Sequence, residues 1–449
     1  MKSKKVLYFK LACIGGHNLK AFVRSFISCG PGLFMFVVLL LFTGCSCKNP
    51  TQVPVNKTLI KGIVTDSLTG QPLQYTVVSA GGFTAVSDTF GRYRLSGMEG
   101  GAYSLTYDRP DWHLNYASAT VAKDDSVEVN VKLYPCQWEL VPLNLASPWS
   151  LYVNVIRDIF FINEMEGWAV GFYHEWGWAN GYGVILHTID GGYNWEMLYS
   201  CPNTDESYWD LEVKDNLHLW VSGPYQVRYT VDGGENWTKY QTTPVADIID
   251  AISFISINDG WFARLGMIYK TTDGGITWNY ISSINGVDLF NKPIKMKFIN
   301  KVIGWVRSAT SLSVTRDGGV TWTTVFEDLP DPRTFSFILG EALDVLLPGH
   351  IWVEGKYSSD NGITWASQPY DTSWHYFSSS FCDPSYGWRS GANHALSEHG
   401  FYHTINGGKT WTKSSIPGVS YIHSLQFINK RRGWAAGWTS GNVNILIYK

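Results

Sequence analysis

The chain has 449 residues, 45% hydrophobic and 15% aromatic, with a formal net charge of −3. A mildly acidic chain without a basic stripe excludes nucleic acid as a partner. Its length exceeds one ordinary hydrophobic core, so two domains are expected.

Residues 1–44 carry Lys2, Lys4, Lys5, Lys10, Lys20 and Arg24 and no acidic residue, and end in an apolar run at 33–42 followed by Thr43-Gly44. A basic stretch, a short apolar core and a small residue describe a secretory signal. The apolar run is too short for a membrane span, which needs about 20 residues. Cys45 directly after Gly44 resembles the lipobox of bacterial lipoproteins. That resemblance implies cleavage before Cys45, lipid on its thiol, and membrane contact through the anchor on the periplasmic side or at the cell surface. Loss of the leader removes six positive charges, taking the formal net charge from −3 to −9. Residues 45–57, with Pro50 and Pro54, read as a tether.

Residues 58–134 alternate apolar and polar positions, as in Lys61-Gly62-Ile63-Val64-Thr65-Asp66 and Gly91-Arg92-Tyr93-Arg94-Leu95. Turn residues fall at Thr69-Gly70 and at 88–91, so the segment reads as short strands. It resembles the carboxypeptidase regulatory-like β-sandwich, a transthyretin-like module without catalytic residues. Asp66 and Asp88 read as turn formers.

Residues 135–449 hold one phrase six times, Ser/Thr-x-Asp-Gly-Gly-x-Thr/Asn-Trp. Its Asp and Trp positions are Asp190 and Trp195, Asp232 and Trp237, Asp273 and Trp278, Asp317 and Trp322, Asp360 and Trp365, and Asn406 and Trp411. Asn361 replaces one Gly. Successive copies lie 42, 41, 44, 43 and 46 residues apart, the length of a four-stranded propeller blade. Carboxyl or amide oxygens close a tight turn, glycine supplies its positive φ, and Trp returns into the next strand. A second mark precedes each phrase, as in Gly167-Trp168, Gly260-Trp261 and Gly387-Trp388. A seventh, Gly433-Trp434, has no phrase after it. Trp138-Glu139-Leu140 echoes Trp195-Glu196-Met197, so residues about 136–143 are expected to close a seventh blade. In the third repeat, strands are expected at 251–257, from 261, at 267–271 and from 278. The fold class is therefore all-β: a seven-bladed β-propeller preceded by a small β-sandwich.

The phrase resembles the Asp-box of sialidases, sortilin-type receptors and several non-catalytic propellers. Gly-Trp-Ala-Val-Gly at 167–171, followed by Ile185-Leu186-His187-Thr188 and the turn, resembles the repeat of the photosystem II assembly/stability factor family. That family implies a non-catalytic chaperone that holds a protein partner, in part through an arginine patch.

The long connections between second and third strands, and between blades, share the face opposite the repeated turns. Aromatic residues there form a candidate binding face: Tyr173, Trp176, Trp178, Tyr182, Tyr208, Trp209, Trp374 and Tyr376. Arg264, Arg307 and Arg389 follow the Gly-Trp mark by three, two and one residues, pointing to that face or to the central channel. A cell-envelope protein is the expected partner, and glycan the alternative. No complete catalytic set is found, which disfavours the other reading, a sialidase- or xyloglucanase-like glycoside hydrolase. His394, Glu398, His399 and His403 are the densest ligand cluster, but they fall on strand and loop, and His403 repeats the position of His187. No metal or cofactor is expected. Cys136 and Cys201 lie in fourth-strand regions of neighbouring blades, and their pairing is left open.

Overall fold

The computed structural model describes residues 58–143, 145, 153–173, 182–200, 207–223, 226–241, 249–287, 293–329, 343–371, 373–393, 398–414, 416, 419–439 and 442–449. Cys45, Trp176, Trp178, His394 and Cys201 lie outside them. The described residues contain strands and no helix.

The sandwich packs two four-stranded sheets. One centres on Leu59–Asp66, antiparallel to Arg92–Ser96 and parallel to Ser126–Glu128 and Val131–Leu133. The other runs Phe83–Val86, Val77–Ala80, Gly101–Asp108, Asn115–Val121. Their facing sides bury Ile60, Val64, Val78, Leu95, Leu105, Tyr107 and Leu133. Asp66 accepts from the Leu68 amide (2.8 Å) and Asp88 from the Phe90 and Arg92 amides (2.8 and 2.9 Å), so both carboxylates close turns.

Seven further four-stranded sheets form the propeller. In the third blade the strands are Ala251–Phe254, Gly260–Arg264, Met267–Thr271 and Asn279–Ser283. The innermost strand is shorter than the alternation suggests, because 255–259 turns back on itself, with the Ile255 amide donating to the Asp259 carbonyl. The seventh blade is made from both ends of the domain. Val419–Asn429, Arg432–Thr439 and Asn442–Tyr448 are completed by Trp138–Pro142, in a register running from Tyr448 opposite Trp138 to Asn444 opposite Pro142.

The Gly-Trp mark is a clasp between blades. The Gly makes room for a Phe on the first strand of its own blade: a methyl at Gly167 would meet the Phe161 ring at 2.6 Å, and one at Gly433 the Phe427 ring at 2.6 Å. The Trp covers the equivalent Phe of the next blade. Trp220 stacks on Phe254 (3.9 Å), Trp261 on Phe298 (3.9 Å), Trp352 on Phe381 (3.7 Å) and Trp434 on Phe161 (3.7 Å). The same indoles donate to a Gly carbonyl in the next blade's repeated turn: Trp220 to Gly274 (2.7 Å), Trp261 to Gly318 (2.9 Å), Trp352 to Gly407 (3.1 Å) and Trp434 to Gly191 (2.8 Å). In the fifth blade Asn361 stands where the Gly would be, and its carbonyl accepts from Arg316 instead (3.0 Å).

A second ring of contacts surrounds the axis. Side chains on one innermost strand accept from backbone amides of the next: Asp158 from Leu211 (3.2 Å), Asp210 from Ile252 (3.0 Å), Ser253 from Phe298 (3.0 Å), Ser378 from Leu425 (3.2 Å) and Ser424 from Ile159 (3.3 Å). Each satisfies a backbone amide that faces the neighbouring blade.

The sandwich docks on the sixth and seventh blades. Asp111, at a φ of 66°, accepts from the Tyr386 and Tyr448 hydroxyls and pairs with His403 at 3.3 Å. Arg431 pairs with Asp108 and donates to the Trp112 carbonyl at 2.7 Å. The seventh blade has no repeated turn. There Gln137 and Lys449 exchange backbone hydrogen bonds of 2.9 and 3.2 Å.

Candidate functional site

In each of the six repeated turns the Asp or Asn side chain bonds within its own turn. In the first, Thr188 donates to Asp190 (2.9 Å), the Gly192 amide donates to Thr188 (3.1 Å), and the Asn194 amide donates to Asp190 (2.9 Å). Trp195 then donates to the Gly192 carbonyl at 3.0 Å. Equivalent amide bonds reach Asp232 from Asn236, Asp273 from Thr277, Asp317 from Thr321, Asp360 from Thr364, and Asn406 from Thr410, at 2.9–3.0 Å. Hydroxyl bonds from Thr321 and Thr364, joined by their amides, hold the Asp317 and Asp360 carboxyls at about 2, and the Asn236 amide with the Thr230 hydroxyl does the same for Asp232. Carboxylates bound this way carry no proton at neutral pH and are poor acid catalysts. Trp195 and Trp278 are buried, and Trp237, Trp322, Trp365 and Trp411 half-buried.

The axis carries the second cluster of charge. Lys295, on the fourth blade, reaches past the third to Asp210 (2.9 Å) and Asp158 (3.9 Å), and Lys297 reaches Glu212 (3.2 Å). Lys214 also pairs with Glu212, at 3.0 Å. Burial raises Glu212, but Lys297 and Lys214 outweigh it and hold the carboxyl at about 2. Burial pushes Asp158 up to about 6 against Lys295, with Asp210 adding to the rise. Asp344 is pushed up to about 6 by burial as well. It accepts from the Phe381 amide.

Asp344 gives a pH-dependent prediction. A carboxyl raised in the fold binds a proton between about pH 4 and 6 that the unfolded chain does not bind. Stability therefore rises as pH falls through 6, and ionised Asp344 is a cost above it. Asp344→Asn keeps an acceptor for Phe381. It should stabilise the protein by about 1 kcal/mol at pH 8, with the gain vanishing near pH 4. Urea unfolding at both pH values reads this directly, and an equal effect at the two would sink it.

The face opposite the turns holds the third cluster. Arg307, its side chain fully buried, lies 3.7 Å from Glu354. Tyr370 donates to Glu354 at 2.6 Å. The Arg389 guanidinium is sandwiched between Tyr376 (3.9 Å) and Trp411 (4.0 Å). Burial raises Glu354 against the opposing pull of Arg307, and raises Tyr370 with Glu354 adding to the rise. Trp374 and Tyr376 are buried over Tyr402. Glu354, Tyr370, Tyr376, Arg389 and Trp411 line a void of about 30 Å³, room for about one water and not for a sugar ring.

Arg307, Arg389, Trp374 and Tyr376 thus come together, as interior packing rather than open surface. Arg264 and Tyr208 are also buried, Tyr208 completely, against Tyr199 and Leu211. Trp209 is half-buried and donates to Ser207 at 2.8 Å. Tyr182 is half-buried on the first blade, where Tyr173 pairs with it across two strands. Glu354 and Tyr370 give no sequence signal, since neither sits in a repeated position. Among the described residues no group of three or more His, Cys, Asp or Glu side chains is placed to hold a metal. His403 is tied to Asp111, and Cys136 carries a free, buried thiol.

Fold and repeats define a seven-bladed β-propeller carried behind a β-sandwich. Residues 59–134 match the carboxypeptidase regulatory-like domain. Among solved structures the chain is similar to YCF48 bound to D1 peptide, at TM-score 0.51 and 19% identity, over 69% of this chain and 96% of that one. It is similar to the extracellular domain of the putative hybrid two component system BT4673 from B. thetaiotaomicron, at TM-score 0.50 and 12% identity, over 69% and 39%. It also matches the Niastella koreensis GH74 enzyme, at TM-score 0.45 and 14% identity, over 86% and 59%. At such identities the likeness is one of fold. No curated protein matches by sequence.

Proposed function

We propose that this protein is a non-catalytic scaffold, exported and lipid-anchored through Cys45, whose Asp-box propeller holds a protein partner at the cell envelope. One observation carries the reading. On the face opposite the turns, the Tyr370–Glu354 pair is packed against buried Arg307, and with Arg389 it lines a void of only about 30 Å³. A protein surface needs no cavity there, whereas a hydrolase needs room for its substrate beside the acid. YCF48, of similar fold, is a propeller seen with a bound peptide.

The test uses the lipid-free mature chain, residues 46–449, immobilised and exposed to envelope extract beside a Trp176/Trp178/Trp209→Ala variant. A defined protein retained by the native chain and lost with the variant is the expected result. Release of sugar from sialoside or xyloglucan that disappears in Glu354→Gln would overturn the scaffold reading.

A further inference from the structure

A cavity of about 400 Å³ lies where the sandwich meets the sixth and seventh blades. Its size suits a small ligand, and junctions between domains are where such sites form. Trp112 and Pro135 line it from the sandwich side, Cys136 and Gln137 from the connection, and Trp138, Trp388, His403 and Tyr448 from the propeller. Asp111 also faces it, its side chain 26% exposed.

The chemistry of the lining narrows the ligand. The Trp138 and Trp388 rings form part of its wall. Asp111 offers acceptor capacity: one carboxylate oxygen takes both tyrosine hydroxyls, and the other meets only His403. Gln137 is exposed at the mouth and its amide supplies a donor and an acceptor. Around these groups the walls are aromatic. An anionic ligand would meet the Asp111 carboxylate. For a cationic one that carboxylate is already engaged by the Tyr386 and Tyr448 hydroxyls and by His403. A purely apolar ligand would cover the Asp111 carboxylate and the Gln137 amide without giving either a hydrogen-bond partner.

We propose that this junction is a saccharide-binding site, taking one or two neutral pyranose rings. A pyranose has hydroxyls that donate and accept on its edge and a C–H face that packs on aromatic rings. The site is separate from the loop face, so it stands or falls independently of the scaffold reading. A partner bearing glycan, or an envelope polysaccharide, would be held between the two domains.

The full mature chain is titrated by saturation-transfer NMR and calorimetry with glucose, galactose, mannose, N-acetylglucosamine and their β-linked disaccharides. Choline and acetate serve as cationic and anionic probes. Gln137→Ala and Trp112→Ala are run beside it, because both leave the backbone hydrogen bonds of the junction intact, and thermal unfolding confirms that each variant folds. Saturable binding of at least one saccharide, weakened about tenfold by each substitution with the melting temperature little changed, is the expected result. The proposal fails if no saccharide saturates, if binding survives both substitutions, or if choline or acetate binds in preference.

Discussion

A chain ending at Thr439 should not give a closed ring and should lose its cooperative unfolding transition. The deletion removes Asn442–Tyr448, the strand that lies between Arg432–Thr439 and Trp138–Pro142. Ile445, Leu446 and Ile447 are fully buried and Tyr448 nearly so. Burial of such side chains is worth about 1.5–3 kcal/mol each, so the four together rival the total stability of an ordinary domain, about 5–15 kcal/mol. The loss is compounded because Trp138–Pro142 is left without its partner, and its aromatic contacts to Tyr448 at 5.2 Å disappear. Tyr448 also anchors Asp111, so the sandwich loses part of its seat. Size-exclusion chromatography and urea unfolding test this. A monomeric truncated chain with an unchanged midpoint would show that six blades and a fragment suffice.

Trp434→Ala should destabilise the protein by about 3–5 kcal/mol, the usual cost of emptying a buried Trp site. Trp434 is fully buried, lies flat on Phe161 at 3.7 Å, and donates to the Gly191 carbonyl at 2.8 Å. Both contacts cross the seam where the last blade meets the first. Trp434→Phe separates the terms: it keeps most of the stack and gives up the hydrogen bond, for a smaller loss of about 1–2 kcal/mol. Equal losses for both variants would mean that the carbonyl contact, not the stacking, fastens the seam. Denaturant midpoints at constant m-value decide between them.

The repeat made the architecture readable from sequence, since a turn phrase at blade-length intervals has few other uses. The echo of Trp195-Glu196 in Trp138-Glu139 pointed to the strand that completes the seventh sheet. The two marks of each blade were legible as separate signals, but not their meeting. Trp220 and Gly274 are 54 residues apart, and only the curvature of the ring brings one blade's indole over the next blade's turn. The same limit hid Glu354 and Tyr370, which join Arg307 across blade boundaries. It also concealed the burial of Tyr208 and Tyr376, because an aromatic residue near a loop packs inward or outward according to neighbours that alternation does not specify. The junction at Asp111 was beyond reach for another reason. Its partners Tyr386, His403 and Tyr448 occupy repeat-related positions, and nothing local marks them as docking residues rather than blade packing.

The strand Trp138–Pro142 follows directly on the sandwich, so it is also a mechanical link. Tension applied at Thr58 enters Leu59–Asp66 and passes through its parallel partner Val131–Leu133 into the connection at 134–137. Without docking, that force would unzip the seventh blade from Trp138. With Asp111 held by Tyr386, Tyr448 and His403, and Arg431 by Asp108, the load is shared with the sixth and seventh blades before it reaches the clasp. Forced unfolding is governed by the rate of rupture, and these junction contacts stand ahead of the seventh-blade clasp in the path of the load.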